Sequence, residues 1–428
     1  MARRPNAEEV RNLRATLLGL LLEWPVEKQQ LQFGKITEVR EFADALLRFS
    51  PFSEWIKNYE VAFLVAGVVT DAFKVIDKKE IPELAKTLRG VLGQERIEEL
   101  EQRLSDFLRS LPRPYHSYWY LPSIEPFGLE RMQLAEDVAL VKLAASDDLP
   151  TRKEYPTLGD LFAGGGLLAA AAYGSEPKLV PGRMYLKVTA QGFATEDRDT
   201  SANILALSRV KQVLEFCRCL GLFQITYGNP QGHCFSQSAL DPKSEHVWVN
   251  QPPEITRYLG RVTLAPSALE SAATAPKIAD PRKPEVQSDI FLKKFRTAAE
   301  VLRRPADDTD AMAIRTACEW SFDARINSNE TISFLQHCIG LEAILGEGAN
   351  LDDPLVSQLS DRCAYLIGKT IRERREIKEK FKAIYKVRSK LVHGRGASIS
   401  PKDADMLYEV QRLLTAVIAR ETSLISAQ

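Results

Sequence analysis

A surplus of charge of one sign, a cysteine framework and any long apolar run are all missing from this 428-residue chain. Its 57 lysines and arginines balance 57 aspartates and glutamates, so it is not basic all over in the way of a nucleic-acid coat, although a local basic face stays open. Six cysteines (Cys217, Cys219, Cys234, Cys318, Cys338, Cys363) are too few to staple a secreted fold of this length. They read as reduced thiols in a cytoplasmic protein. The apolar stretches over 61–70 and 161–173 fall well short of the roughly 20 residues that cross a bilayer, so a soluble protein with no membrane partner is expected. Behind Met1-Ala-Arg-Arg-Pro, the charges of Glu8, Glu9 and Arg11 interrupt any leader-like apolar stretch, and no signal peptide is expected. What is present is 45% apolar side chains, enough to fill the cores of roughly two to four domains.

The patterning divides the chain into regions of different texture and predicts a multidomain α+β protein that is mostly helical. Region 1–112 reads as helical: Val10, Leu13, Leu17, Leu20 and Leu21 recur at three- and four-residue spacing, and Ile97, Leu100, Leu104 and Leu108 line one face of a second amphipathic stretch. Pro112 and Pro114 close it. Region 113–264 reads as mixed α+β. Strand-like segments lie at 115–120, 138–143, 184–189, 221–227 and 246–249, and a helix over 201–220 carries Leu207, Val210, Val213, Leu214 and Cys217 on its buried stripe. Alanine, serine and proline dominate 265–288, the composition of a linker. From 289 to 428 the pattern predicts only helices, at about 289–303, 308–326, 329–345, 354–369, 371–393 and 401–424.

The charge is concentrated in one of these helices. Between Ile371 and Gly396 there are ten lysines and arginines against Glu373, Glu376 and Glu379, a local +7 in a neutral chain. Ile377, Phe381, Ile384, Tyr385, Arg388, Leu391 and Val392 fall on one stripe, so Arg388 emerges from the packed face. His393 stands at the end, before Gly394, a residue suited to a left-handed cap. An arginine and a histidine so placed suit RNA, which carries its own nucleophile in the 2′-hydroxyl. A histidine with pKa of about 6.5 moves protons at neutral pH, and a guanidinium stabilises a pentavalent phosphorane. On spacing alone the pair reads first as the end of a solvated basic helix with a capping histidine.

Arg388-x4-His393, set in Tyr385-x-x-Arg-Ser-x-x-Val-His-Gly, resembles the signature of HEPN domains, specifically the Apea-like branch. Upstream, Phe334-x-x-x-Cys338-Ile-x-Leu341-Glu342-Ala343-Ile-Leu345 resembles that branch's Leu-Glu-Ala-Leu helix. The resemblance covers roughly 289–425 and implies an all-α bundle. It further implies a metal-independent endoribonuclease, needing no cofactor, whose site is completed by a homodimer. Arg388 would polarise the scissile phosphate and His393 would act as acid and base. Ser389 takes the position where many active HEPN domains carry Asn, Asp or His, and Arg-Ser is frequent in the Apea-like branch. Glu342 either orients Arg388 or forms a structural ion pair. Tyr385 packs, Lys390 screens phosphate, and Lys386 and Arg395 supply charge for RNA binding. The implied biology is a toxin-like effector of anti-phage defence by abortive infection. It would cut an RNA such as a tRNA and be restrained by the preceding regions until a phage or host trigger arrives. The alternative is a HEPN module that binds RNA, nucleotide or protein, or dimerises, without cutting.

Other motifs carry less. Ile367-Gly-Lys-Thr370 ends like a Walker A loop, but Cys363 stands where the first glycine belongs and a helix precedes it. Gly164-Gly-Gly166 reads as a tight turn. Cys217, Cys219, His233 and Cys234 lack knuckle spacing and read as buried thiols rather than zinc ligands. His116, His246 and His337 read as structural.

Overall fold

The computed structural model describes residues 6–27, 30–31, 86–109, 113–120, 129–144, 181–192, 201–221, 223–227, 247–250, 257–261, 272–276, 284–327, 329–346, 355–394 and 398–426, with a few more between 40 and 48. The described chain is α+β and mostly helical. Near the start, α1 (Ala7–Leu22) buries Val10, Leu13, Leu17, Leu21 and Leu22. It packs against α2 (Gln94–Arg109), which buries Leu100, Leu104 and Leu108. Asn6 opens α1 with a capping box to Glu9, satisfying two amides that the first helical turn leaves unpaired. Arg14 ties the pair together through Glu101 at 3.1 Å. Between the two helices, a two-stranded ribbon of β1 (Val26–Glu27) and β2 (Gln30–Leu31) interrupts the helical texture expected there.

The middle of the chain builds an antiparallel sheet from β3 (Arg113–Tyr120), β4 (Arg131–Ala135), β5 (Val138–Lys142), β6 (Met184–Gly192), β8 (Val247–Asn250) and β9 (Arg257–Arg261), in the order β4-β5-β6-β3-β8-β9. Side chains alternate between its faces with period two, and the register places Leu140, Leu186 and Trp119 in one buried row across three strands. That face is covered by α3 (Ser201–Cys219) and by α4 (Pro284–Arg303). A separate ribbon pairs β7 (Phe223–Tyr227) with β10 (Ala272–Pro276).

Two features depart from the reading of 265–288 as a linker: β10 lies inside it, and α4 begins there at Pro284. Strand β10 is Ala-Ala-Thr-Ala-Pro, whose small residues pair through backbone atoms with no apolar pattern to advertise it. Pro284 sits in the first turn of its helix, where the missing amide proton would have had no partner.

Beyond α4 every described element is helical: α5 (Thr309–Ile326), α6 (Glu330–Leu345), α7 (Leu355–Ile367), α8 (Ile371–Val392), a single 3-10 turn at Pro401–Asp403, and α9 (Asp405–Ile425). Asp308, Asn329 and Thr370 cap α5, α6 and α8. These helices share one continuous hydrophobic core with α3 and the inner sheet face, running from Trp119 to Ile425. Among the described residues no helix is long and apolar enough to cross a membrane.

At the centre of this core, on α3, lies a carboxylate, Glu215, with no exposed side chain. Burial works against its charge, but Arg218, Arg325 and the Ser321 hydroxyl more than reverse that and bring its pKa down to about 2. Both arginines also donate to the Thr415 hydroxyl, at 3.0 and 3.2 Å, which ties α3 to α5 and α9. Beside them His337 Nδ1 meets the Ser333 carbonyl at 2.8 Å, while its buried Nε2 has no partner among the described residues. Burial holds this imidazole neutral, with a pKa lowered to about 4.

Stability should therefore fall in two steps on acidification. Between about 6.5 and about 4 the unfolded His337 binds a proton that the folded side chain refuses, a loss of at most about 3 kcal/mol. The contribution of Glu215 is intact above about 4.5 and disappears only as pH approaches about 2. Urea unfolding across this range should show both steps, and His337→Gln should flatten the upper one.

Candidate active site

Helix α8 is positioned from both ends by local chemistry. At its start the Thr370 hydroxyl accepts from the Glu373 amide at 3.2 Å, and the Glu373 carboxylate accepts from the amides of Lys369 and Thr370. Those two backbone donors lower the Glu373 pKa. At its end His393 leaves the helix as the C-cap, and Gly394 adopts φ +67°, a left-handed conformation that a side chain would oppose. The cap fixes where the His393 backbone sits.

Between the ends, Ile377, Phe381, Ile384, Tyr385 and Val387 are buried, and the rings of Phe381 and Tyr385 stack with centroids 4.7 Å apart. Leu391 is half-buried against the core, but Val392, expected on the same stripe, is 53% exposed.

Arg388 extends this buried stripe and meets Glu342 of α6 in a two-pronged pair: Nε to Oε1 at 2.8 Å and Nη2 to Oε2 at 3.0 Å. Both side chains are roughly three-quarters buried, which strengthens a charge-assisted bidentate bond relative to one in open water. The guanidinium carbon lies 5.8 Å from the Tyr385 ring centroid. Burial, reinforced by neighbouring Glu342 and Cys338, raises the pKa of the Tyr385 hydroxyl, which makes no hydrogen bond of full geometry. Cys338, one turn before Glu342 on α6, is also buried and its thiol pKa is raised. Glu342 therefore takes two of the five N–H donors of Arg388, and three remain, including the pair on the Nη1/Nη2 edge.

His393 is exposed, as are Ser389, Lys386 and Lys390. Lys390 approaches Asp403 at 3.9 Å, and the same carboxylate accepts from the Ser400 hydroxyl at 2.8 Å. Five helical positions separate Arg388 from His393, about 7.5 Å along the axis and about 140° around it. One chain thus presents the arginine inward and the histidine outward. Arg395 lies outside the described residues.

The structure brings Glu342, Tyr385 and Arg388 together and leaves His393, Ser389, Lys386 and Lys390 on the outer surface. His337, on the same helix as Glu342, faces Glu215 and Arg325 instead. Asp403 was not legible as a neighbour of Lys390, because it comes from a turn whose docking no local pattern announces. Gly368 and Lys369 join two helices and Thr370 caps the second, which is not the strand-to-helix setting of a phosphate loop. Burial raises the thiol pKa of both Cys217 and Cys219, and among the described residues no three His, Cys, Asp or Glu side chains gather as metal ligands would. His116 is buried and its Nδ1 lies 2.9 Å from the Thr189 hydroxyl. His233, Cys234, His246 and Gly164–Gly166 are outside the described residues.

Compared with protein-family models, curated proteins and solved structures, the chain matches none.

Removing one member of the Arg388–Glu342 pair strands the other in a partly buried setting. Arg388→Ala and Glu342→Ala are each expected to cost about 1 to 3 kcal/mol in chemical denaturation. The double variant should cost clearly less than the sum, and strict additivity would mean that the pair is not formed in solution.

Proposed function

We propose that this chain is a metal-independent endoribonuclease of the HEPN type, resembling the Apea-like branch. The observation that carries the reading is the Arg388 guanidinium. It is clamped along one edge by Glu342, so its free edge is oriented and matches the geometry of a phosphate. A catalytic arginine needs both properties, and a fully satisfied structural arginine would have neither.

In this mechanism the 2′-oxygen of the substrate attacks its own 3′-phosphate. The O2′–P bond forms as the P–O5′ bond breaks, giving a 2′,3′-cyclic phosphate and a 5′-hydroxyl. Arg388 binds the non-bridging oxygens and stabilises the charge that builds in the pentavalent state. His393, exposed at the helix end, takes the proton from O2′ or delivers one to O5′. One histidine cannot serve both sides of the phosphorus at once. With Arg388 and His393 about 140° apart around one helix, a second copy supplying its own helix end completes the set, and the active species is a homodimer. The substrate is a structured host RNA such as a tRNA. The regions before the bundle restrain cutting until a phage-derived or host trigger arrives, in the manner of abortive infection.

A second reading, a HEPN module that binds or dimerises without cutting, is favoured by the same ion pair taken differently: Glu342 neutralises Arg388 inside the bundle.

Total RNA incubated with the purified chain in EDTA separates the two. Cleavage is expected to persist in EDTA and to fall by about 10²- to 10⁴-fold in His393→Ala, with a comparable loss in Arg388→Ala. Equal RNA loss in all samples would mean a contaminant and defeat the nuclease reading. Light scattering at assay concentration should show a dimer, and a fully active monomer would overturn the shared site.

A further inference from the structure

Helix α8 sorts its cations by direction. On the flank facing α7, Lys378 pairs with Asp361 at 2.6 Å, and Arg374 donates to the Gly368 carbonyl while lying 4.8 Å from the Tyr365 ring. On the flank facing α9, Lys380 pairs with Glu409 at 2.6 Å and Lys390 approaches Asp403. Arg388 is held from below by Glu342. Lys382 and Lys386 belong to neither flank. Both are exposed, and neither meets a carboxylate within ion-pair distance among the described residues.

These two lysines share one crest with His393. Helical geometry separates Lys382 from Lys386 by about 6 Å and Lys386 from His393 by about 10 Å, all within about 40° of one another around the axis. The crest points directly away from the bundle. Two like charges one turn apart oppose helix formation, so the pair adds nothing to the stability of α8. By the same geometry the exposed Arg375 shares the crest, Glu379 lies at its edge, and from Lys382 to His393 the described crest carries no acidic side chain.

We propose that this crest is a track for a phosphodiester backbone, so that the chain grips RNA over several nucleotides leading to His393 as well as at the scissile phosphate. The proposal rests on the nuclease reading for its direction and extends it to the substrate: a strand of several nucleotides, not a dinucleotide. The occupant follows from charge complementarity along a line. Evenly directed, flexible ammonium groups suit a repeating anion read without regard to sequence, because lysine acts as a point charge without the two-pronged geometry of arginine. The track therefore sets affinity and leaves sequence choice to other contacts.

The test uses the full chain and a fluorescent 2′-O-methyl RNA dodecamer, which has no free nucleophile and stays intact. Its binding is followed by anisotropy across a salt series. Each cation that neutralises a phosphate of a single strand adds about 0.7 to the slope of log affinity against log salt. Lys382→Gln/Lys386→Gln should therefore lower the slope by about 1.4 and weaken the dodecamer, while binding of a 2′-O-methyl dinucleotide stays unchanged. Lys402→Gln/Arg420→Gln removes the same charge from exposed positions off the crest and should leave the slope in place. An unchanged slope in the crest variant, or an equal drop in both, overturns the track. The nuclease reading fails separately: a chain that never cuts RNA yet shows the crest-specific slope change keeps the track and loses the nuclease, and the reverse result does the opposite.

Discussion

Glu215 is a charged group where an uncompensated charge could not remain. A carboxylate without solvent is held ionised only by countercharges and hydrogen bonds supplied by the protein, and here they come from its own helix and from α5, with Thr415 of α9 joining the arginines. Because the cost of leaving any partner unpaired is so large, the relative placement of α3, α5 and α9 is narrowly specified. Apolar packing by itself would tolerate small slides. The sheet inherits this precision, since α3 covers its inner face together with α4 and Arg209 of α3 pairs with Asp137 at the β4–β5 turn at 2.7 Å.

The same constraint reaches the candidate site through α6. That helix sends His337 toward the buried cluster and Glu342, five residues later, to the other side toward Arg388. One rigid element thus carries a neutral imidazole against Arg325 and a carboxylate against Arg388. The position of the Arg388 guanidinium is decided by the packing of α6 as much as by α8. Tyr385 and Cys338 surround the pair with poorly ionising neighbours, a setting in which the Glu342–Arg388 attraction is less screened than in open water.

Much of the helical framework was legible beforehand. The helices expected at 308–326, 329–345 and 371–393 run from Thr309 to Ile326, Glu330 to Leu345 and Ile371 to Val392, because strong three- and four-residue periodicity coincides with capping side chains at each start. The strands at 131–135, 257–261 and 272–276 went unread. They are short, and their pairing is made by backbone atoms whose partners are remote in sequence. The helix over 201–220 lies deeper than its pattern predicts: the spacing predicts a single buried stripe, whereas Gln212 through Cys217 are all buried. A charged residue in the middle of that run argues for an exposed face when read alone, and only the arginines it meets explain its burial.

At the candidate site, the sequence by itself determined the basic helix, its cap at Gly394, the place of Arg388 on the packed stripe and that of His393 at the helix end, since all four follow from position within one helix. Tertiary structure alone decided that Glu342 occupies one edge of the guanidinium, that flank lysines are neutralised by Asp361, Glu409 and Asp403, and that Lys382 and Lys386 are not. The physical reason is range. Periodicity and caps act over one or two turns, whereas ion pairs between helices depend on docking geometry set by a core drawn from elements as far apart as Trp119 and Ile425.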